Sequence, residues 1–219
     1  VSPAQLTFTS TNWNSAQTVT VTAVDDDVDD GNQSTTVTVA VNDGLSDDSY
    51  DPVSDVTVIV STVDDDASGF VVTESGGSST VDESGTTDTF TVVLTSQPVG
   101  SVVLDVSSAD VGEVSVSPAQ LTFTSGNWNV AQTVTLTGVD DGQLVDGNAT
   151  TNVSVSVATG LSDPSYASVP TQQVAVTTTD DDLAGFTVTE SGGSTSVTES
   201  GGSDSFTVVL DAQPASNVV

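Results

Sequence analysis

The sequence predicts an all-β protein built from tandem antiparallel sandwiches, and two observations support this prediction. Polar and apolar residues alternate along the chain, as in residues 18–22 and 154–157, and no segment has helical spacing. Residues 2–9 also return unchanged as residues 117–124. Alternation rich in β-branched residues is typical of half-buried strands, and a repeat of this length is the size of a domain.

The phase of the repeat predicts the domain organisation. We expect the C-terminal half of one repeat (residues 1–66), one complete repeat (70–182) and the N-terminal strands of a third (186–219). Edge strands and half a core would face water in each partial repeat. We therefore expect end-to-end continuation, along a longer chain or through neighbouring copies, with residues 186–219 beside the 1–66 segment of another copy.

Seven strands, A to G, are expected in the complete repeat. Strand A should bend at Gly76 and Gly77, because glycine marks bends in strands, and strand D should break at Pro118, because proline cannot donate to a ladder. The others are short alternating segments bounded by turn residues. The expected bounds are A 70–82, B 89–96, C 101–107, D 114–124, E 132–139, F 150–158 and G 173–179. Seven such strands predict an immunoglobulin-like sandwich.

The side-chain charges all have one sign. Asp and Glu contribute 31 residues, whereas Lys, Arg, His and Cys are absent, so the formal net charge is −31. Binding of nucleic acid or of an anionic membrane surface is excluded, because both depend on basic side chains. Disulfides, thiolate sites and a cysteine nucleophile are excluded as well. The apolar runs, such as residues 56–63, are too short to span a membrane.

The acidic residues of the complete repeat concentrate at one end. In an antiparallel sandwich the AB, CD and EF loops and the exit of strand G share that end, and they contain ten acids: Glu83, Asp88, Asp110, Glu113, Asp140, Asp141, Asp146, Asp180, Asp181 and Asp182. The BC and DE loops at the other end contain none. Ordinary loop polarity, which would place acids at both ends, stays an alternative explanation of this pattern, because Asp43 and its neighbours lie in the FG loop of the first repeat.

A bound cation would relieve the repulsion among these carboxylates. Two like charges 4 Å apart repel by about 1 kcal/mol in water and by about 4 kcal/mol near a protein surface. Oxygen ligands without His or Cys favour Ca²⁺, and carboxylates from several loops suit its roughly six to eight ligands. The acidic segment 25–31 lacks the glycine position of an EF-hand, so we expect the site to form where loops converge.

Three motifs of the repeat resemble the Calx-β repeat, a calcium-binding sandwich of sodium/calcium exchangers and of long bacterial surface proteins. Strand E ends in Val-Asp-Asp before an acidic stretch (24–30 and 139–146), Asp-Asp-Asp follows strand G (64–66 and 180–182), and Glu-Ser-Gly opens the AB turn (83–85 and 199–201). The resemblance implies a Calx-β-type fold with bound Ca²⁺. The implied ligands are Glu83, Asp110, Asp140, Asp141, Asp146, Asp180, Asp181 and Asp182 in the complete repeat, and Asp25, Asp26, Asp30, Asp64, Asp65, Asp66 and Glu199 in the partial repeats.

The expected function is that of an extracellular structural or adhesive rod, or filament, of tandem repeats stiffened by calcium. Strand G leaves through the acidic end, and only three residues separate it from the next repeat, so the ions would lie at the junction. The expected partners are neighbouring repeats or copies of the chain and, for an adhesive rod, a surface or glycan target.

Some features of the sequence also bear on two other function classes. Paired carboxylates can hydrolyse glycosides, but no basic side chain is present to bind a substrate, so an enzyme is not expected. Threonine rows at residues 18–22 and 133–137 leave a carbohydrate- or ice-binding surface as the alternative. Threonine is also simply favoured on the exposed faces of strands.

Overall fold

The computed structural model describes residues 1–142 and 144–219, which divide into two compact units, Val1–Ala67 and Ser68–Val219. The predicted all-β class is confirmed: these residues form fifteen strands and three single-turn 3-10 helices. Within the described ranges, no helix has the length and apolar character that a membrane crossing requires.

The first unit contains one antiparallel hairpin. Its strands are β1 (Gln33–Val39) and β2 (Val56–Thr62), and Gln33 lies opposite Thr62. A single antiparallel bridge also joins Ser2 to Thr20. These elements correspond to strands F and G and to the D–E pairing of the predicted sandwich.

The second unit contains a complete two-sheet sandwich. Its elements are β3 (Phe70–Glu74), a 3-10 turn (Ser75–Gly77), β4 (Ser79–Asp82), β5 (Thr87–Leu94), β6 (Val102–Ser108), β7 (Val114–Ser117), β8 (Gln120–Phe123), β9 (Gln132–Gly138), β10 (Leu144–Val145), β11 (Ala149–Val157), a 3-10 turn (Pro164–Tyr166) and β12 (Gln172–Thr179). One sheet has the order β3-β5-β9-β7, and the other has the order β4-β12-β11-β6-β8.

Strands A and D of the prediction each divide between the two sheets. The division of strand A falls at Gly76 and Gly77, whose φ angles of 67° and 82° are in the left-handed region that favours glycine. Strand D divides at Pro118, between β7 and β8. Because β4 leaves the sheet of β3, it can pair in parallel with β12 and close the edge of the second sheet.

The core fills the space between the two sheets. It consists mainly of valine and leucine, and its largest fully buried side chains are Tyr166, Phe90, Phe123, Leu104, Leu121 and Leu136. Tyr166 lies in the connection between β11 and β12, where its hydroxyl donates to the carbonyl of Ser96 at 2.6 Å. Burying these side chains supplies the main stabilisation of a chain that has no disulfide.

Three strands follow the complete sandwich within the same unit. They are β13 (Phe186–Glu190), which precedes a 3-10 turn (Ser191–Gly193), then β14 (Phe206–Leu210) and β15 (Gln213–Pro214). β13 and β14 form an antiparallel hairpin, and β15 pairs in parallel with β10. The sequence did not predict β10, which joins the acidic connection after β9 to residues of the next predicted repeat.

Candidate metal centre

Backbone hydrogen bonds hold the acidic connections of the complete sandwich together. The Glu83 N–H donates to the carbonyl of Thr179 at 3.1 Å and thereby joins the β4–β5 turn to the end of β12. The Val139 N–H donates to the carbonyl of Glu113 at 3.0 Å and joins the end of β9 to the β6–β7 loop. Acidic residues that are distant in the sequence therefore lie at one end of the sandwich.

Three carboxylates converge at this end. One oxygen each from Glu83, Asp180 and Asp182 lies within 4.8 Å of the others. Two oxygens bound about 2.4 Å from the same Ca²⁺ are separated by up to about 4.8 Å, so this spacing is compatible with a shared calcium ion. We call these three residues the triad. Asp180 and Asp182 extend to the same side, whereas Asp181 between them is exposed.

Glu83 is the most unusual carboxylate of the triad. Its side chain is 2% exposed, and its buried Oε2 has no hydrogen-bond partner. Burial, reinforced by the negative charges of Asp141 and Asp180, raises the pKa of Glu83 to about 7. An ionised carboxylate without a partner is costly in such a place, and a bound cation or proton would remove that cost.

Asp180 is held in position by the chain around it. Its Oδ2 accepts the Gly147 N–H at 2.8 Å, and its Oδ1 accepts the Asp182 N–H at 2.8 Å. Its own N–H donates to Oδ1 of Asn148 at 3.1 Å. These bonds, which we call the Asp180 clamp, fix the triad to the segment between β10 and β11. Each carboxylate oxygen can accept a second interaction, so the clamp leaves room for a cation.

The first unit contains the same clamp. The Asp64 N–H donates to Oδ1 of Asn32 at 2.9 Å, and Oδ2 of Asp64 accepts the Gly31 N–H at 2.5 Å. Oδ1 of Asp64 accepts the Asp66 N–H at 2.9 Å. The clamp is therefore a local property of the repeat. Sequence reasoning missed the Gly-Asn pairs at 31–32 and 147–148, although their recurrence in both copies was a usable signal.

The other implied ligands of the complete sandwich lie around the triad rather than in it. Asp140, Asp141 and Asp146 are exposed in the connection from β9 to β11. The charges of Asp141 and Asp146 contribute to the raised pKa of Glu83, so both act on the triad electrostatically. Asp110 is exposed in the β6–β7 loop, where its Oδ1 accepts the Gly112 N–H at 2.9 Å. Direct coordination by these residues and by Asp181 stays a prediction.

Glu113 belongs to the site, although it was not among the implied ligands. Its Oε2 is buried without a hydrogen-bond partner, as in Glu83. Burial and the charge of Asp146 raise the pKa of Glu113. The signal for it was present, because Glu113 is one of the ten acids at this end. Burial distinguishes it from the exposed acids, and burial depends on packing between loops.

The partial repeats hold the remaining predicted ligands. Asp25, Asp26 and Asp30 are exposed in the first unit, as is Asp65, whereas Asp64 and Asp66 are partly buried. Partial burial and the charges of Asp64 and Asp65, with smaller contributions from Asp27 and Asp25, raise the pKa of Asp66. Glu199 is exposed in a turn after β13. The ligand roles of these residues stay predictions.

No protein-family model matches the chain, and no curated protein sequence matches it. Among solved structures, the apo form of the Calx CBD1 domain has a TM-score of 0.37 and 15% identity, covering 52% of this chain and 98% of that one. Domains 4 and 5 of the S-layer protein SbsC have a TM-score of 0.36 and 19% identity, covering 67% of this chain and 58% of that one. SSP-19, an MSP-domain-like protein of Caenorhabditis elegans, has a TM-score of 0.33 and 15% identity, covering 49% of this chain and 97% of that one. The interpretation of the site therefore depends on the geometry of this chain.

Proposed function

We propose that the chain is part of an extracellular structural or adhesive protein made of tandem Calx-β-like repeats, in which Ca²⁺ bound at the acidic end of a repeat stiffens its junction with the next. One observation is the main support. The three triad oxygens lie within 4.8 Å of one another, and one contributor, Glu83, is buried with an unpartnered Oε2. A non-catalytic role is part of the proposal, because the chain has no basic side chain or cysteine.

The donor set of the triad fits calcium better than the other common metals. It consists of carboxylate oxygens, and the charges of Asp141 and Glu113 act on Glu83 from neighbouring loops. Zinc and copper sites usually use His or Cys, which the sequence lacks. Mg²⁺ requires a tighter octahedron and retains several waters, whereas Ca²⁺ accepts irregular sets of oxygens.

The pairing of β10 with β15 provides a physical connection between the triad and the following segment. Leu144 and Val145 form β10, which lies opposite Gln213 and Pro214 of β15. Asp146 follows β10 directly, and Gly147 donates to Asp180 in the clamp. An ion that holds Asp180 in place would thereby restrict the segment that carries β10. Restricting β10 would in turn restrict the orientation of residues 186–219.

The binding part of the proposal is tested by calorimetric titration of the EDTA-treated chain with Ca²⁺ and by melting curves with and without the ion. Because the ligands converge only in the folded state, calcium at 100 times its dissociation constant should add about 2.7 kcal/mol to the free energy of unfolding. Mg²⁺ at matched ionic strength is the control. Equal stabilisation by both ions, or an unchanged melting curve, would indicate diffuse screening of charge instead of a site.

The stiffening part is tested by a distance measurement across the junction. The chain has no cysteine, so Thr133→Cys and Ser194→Cys, both at exposed positions, allow specific attachment of two spin labels. We expect a narrow distance distribution in Ca²⁺ and a broad one in EDTA. Calcium binding without narrowing would retain the metal site and reject the mechanical role.

A further inference from the structure

Asp88 lies near the start of β5, on the side of that strand that faces the core. It is partly buried and lies opposite Leu136 of β9. Phe90 and Val92, on the same side of β5, are fully buried. A carboxylate in this place needs hydrogen-bond donors, because an ionised group is costly to remove from water.

Three donors surround the Asp88 carboxylate. The Thr80 N–H donates to Oδ2 at 3.0 Å, and the Thr89 N–H donates to Oδ1 at 2.7 Å. The hydroxyl of Ser75 also donates to Oδ1. Burial raises the pKa of Asp88, but these hydrogen bonds outweigh it and lower the pKa overall. We call the three bonds the Asp88 staple. Both acceptor positions of Oδ1 are engaged in it, so Asp88 is an anchor for the chain rather than a free ligand.

The Asp88 staple joins the two sides of the bend between β3 and β4. Ser75 belongs to the 3-10 turn that follows β3, and Thr80 lies in β4. The staple therefore spans the glycine bend at which the chain leaves one sheet for the other. A second bond crosses the same bend, because the hydroxyl of the buried Ser79 donates to Oε2 of Glu74 at 2.8 Å.

The same staple is present beside the hairpin of β13 and β14. The hydroxyl of Ser191 donates to Oδ1 of Asp204, and the Ser205 N–H donates to the same oxygen at 2.8 Å. The Ser196 N–H donates to Oδ2 at 2.9 Å. Residues 195–198, the counterpart of β4, lie within the described ranges and form no strand. The staple therefore does not depend on the pairing of β4 with β12, and it can direct β4 into that pairing.

The strand β4 connects the staple to the triad. Thr80 precedes Glu83 by about 10 Å of extended chain, so the staple can act on Glu83 through the main chain. At the other end of β4, the hydroxyl of Thr179 donates to Oδ2 of Asp82 at 3.0 Å, and the Glu83 N–H donates to the carbonyl of Thr179. The strand is thus held at its start by Asp88 and at its end by β12.

We propose that Asp88 is a positioning residue of the calcium site, which fixes the bend before β4 and thereby brings Glu83 into the triad. This inference rests on the proposed function, and it adds a residue that contributes no oxygen to the ion. The clamp fixes Asp180 independently of β4. The staple therefore controls where Glu83 lies relative to Asp180.

Calorimetric titration with Ca²⁺ compares Asp88→Asn with Asp204→Asn. An asparagine amide has one oxygen and one NH2 group, so in either orientation some donor of the staple loses its acceptor. Asp88→Asn should lower the affinity by about tenfold, the lower end of the range for residues that orient the ligands of a metal. Asp204→Asn removes the same charge and breaks the same staple in a hairpin without a triad residue, so it should change the affinity less than about twofold.

Two further variants separate positioning from a general loss of stability. In a Glu83→Gln background, Asp88→Asn should lower the affinity less than about twofold further, because the ligand that it positions is already altered. Ser75→Ala keeps the charge and removes one donor of the staple. It should lower the affinity by at least about threefold, with Ser191→Ala as its matched control, and it provides the test if Asp88→Asn does not fold.

Hydrogen exchange in EDTA tests the positioning without the ion. The Glu83 N–H should exchange at least about tenfold faster in Asp88→Asn than in the unmodified chain. The Val139 N–H, which donates to Glu113, is the reference, because a general loss of stability would accelerate both amides equally. Faster exchange at Glu83 alone, in a chain that binds no Ca²⁺, would retain the positioning role and reject the proposed function. Equal acceleration of both amides, unchanged exchange at Glu83, equal affinities of the two Asp→Asn variants, or the same effect of Asp88→Asn in both backgrounds would overturn the proposal.

Discussion

Gly138 lies so close to the main chain of Asp82 that no side chain fits between them. A Cβ at Gly138 would lie 2.0 Å from the Asp82 carbonyl oxygen and 2.8 Å from its carbonyl carbon. Gly138 ends β9 two residues before Asp140, and Asp82 ends β4 one residue before Glu83. This contact between the two sheets therefore sets how closely the acidic connections approach.

The first prediction is that Gly138→Ala destabilises the complete sandwich by about 1–3 kcal/mol, because overpacking against main-chain atoms forces the sheets apart. Calcium affinity should fall in the same variant. The measurements are urea unfolding and calorimetric titration. Gly160→Ala is the control, because no atom lies within 4 Å of its added Cβ and its φ is not in the left-handed region. Equal stability of the two variants would contradict the prediction.

Glu83→Gln should change stability and binding in opposite directions. The substitution keeps the shape of the side chain but removes a buried charge whose Oε2 has no partner. In EDTA at pH 8 the variant should unfold at a higher temperature than the unmodified chain, whereas its Ca²⁺ affinity should be lower by about tenfold or more, since a charged ligand is lost. Asp105→Asn, on β6 and bonded to Gln120, should change neither quantity appreciably. A purely structural role for Glu83 would leave the affinity unchanged.

The stability of the calcium-free chain should fall as the pH rises from about 4.5 to about 7. The folded-state pKa of Glu83 is raised from 4.5 to about 7, so the folded chain holds a proton that the unfolded chain has already released across this range. The pKa values of Asp82, Asp88 and Asp163 are lowered. The stability that these carboxylates contribute to the fold is therefore lost only at more acidic pH, below this window. Urea unfolding in EDTA at several pH values measures how the free energy of unfolding changes with pH. Saturating Ca²⁺ or Glu83→Gln should make this fall smaller, and Glu113, Asp66 and Asp182, whose pKa values are also raised, account for the rest. A free energy of unfolding that rises with pH over this window would contradict the assignment.

Asp182→Asn should weaken Ca²⁺ binding more than Asp181→Asn. Asp182 belongs to the triad, and partial burial together with the charges of Asp181 and Asp180 raises its pKa. Asp181 is exposed and lies outside the triad. Both variants lose one charge from the same segment, so long-range screening affects them equally. Identical affinities in calorimetry would mean that the segment acts through its total charge.

The sequence by itself determined the fold class and most strand positions. Alternation of threonine and valine specifies strands, because each strand of a sandwich has one face in the core and one in water. The predicted breaks at Gly76, Gly77 and Pro118 were found, since glycine and proline act on the backbone locally. The order of the strands then assigned ten acids to one end without any coordinate.

Only the tertiary structure decided which of those acids converge. Asp180, Asp181 and Asp182 are equivalent in composition, but the direction of the chain after β12 brings the first and third to Glu83 and leaves the second in solvent. Burial of Glu83 and Glu113 results from packing between loops that are distant in the sequence. The raised pKa values follow from that burial, because desolvation depends on the surroundings of a group and not on its neighbours in the chain.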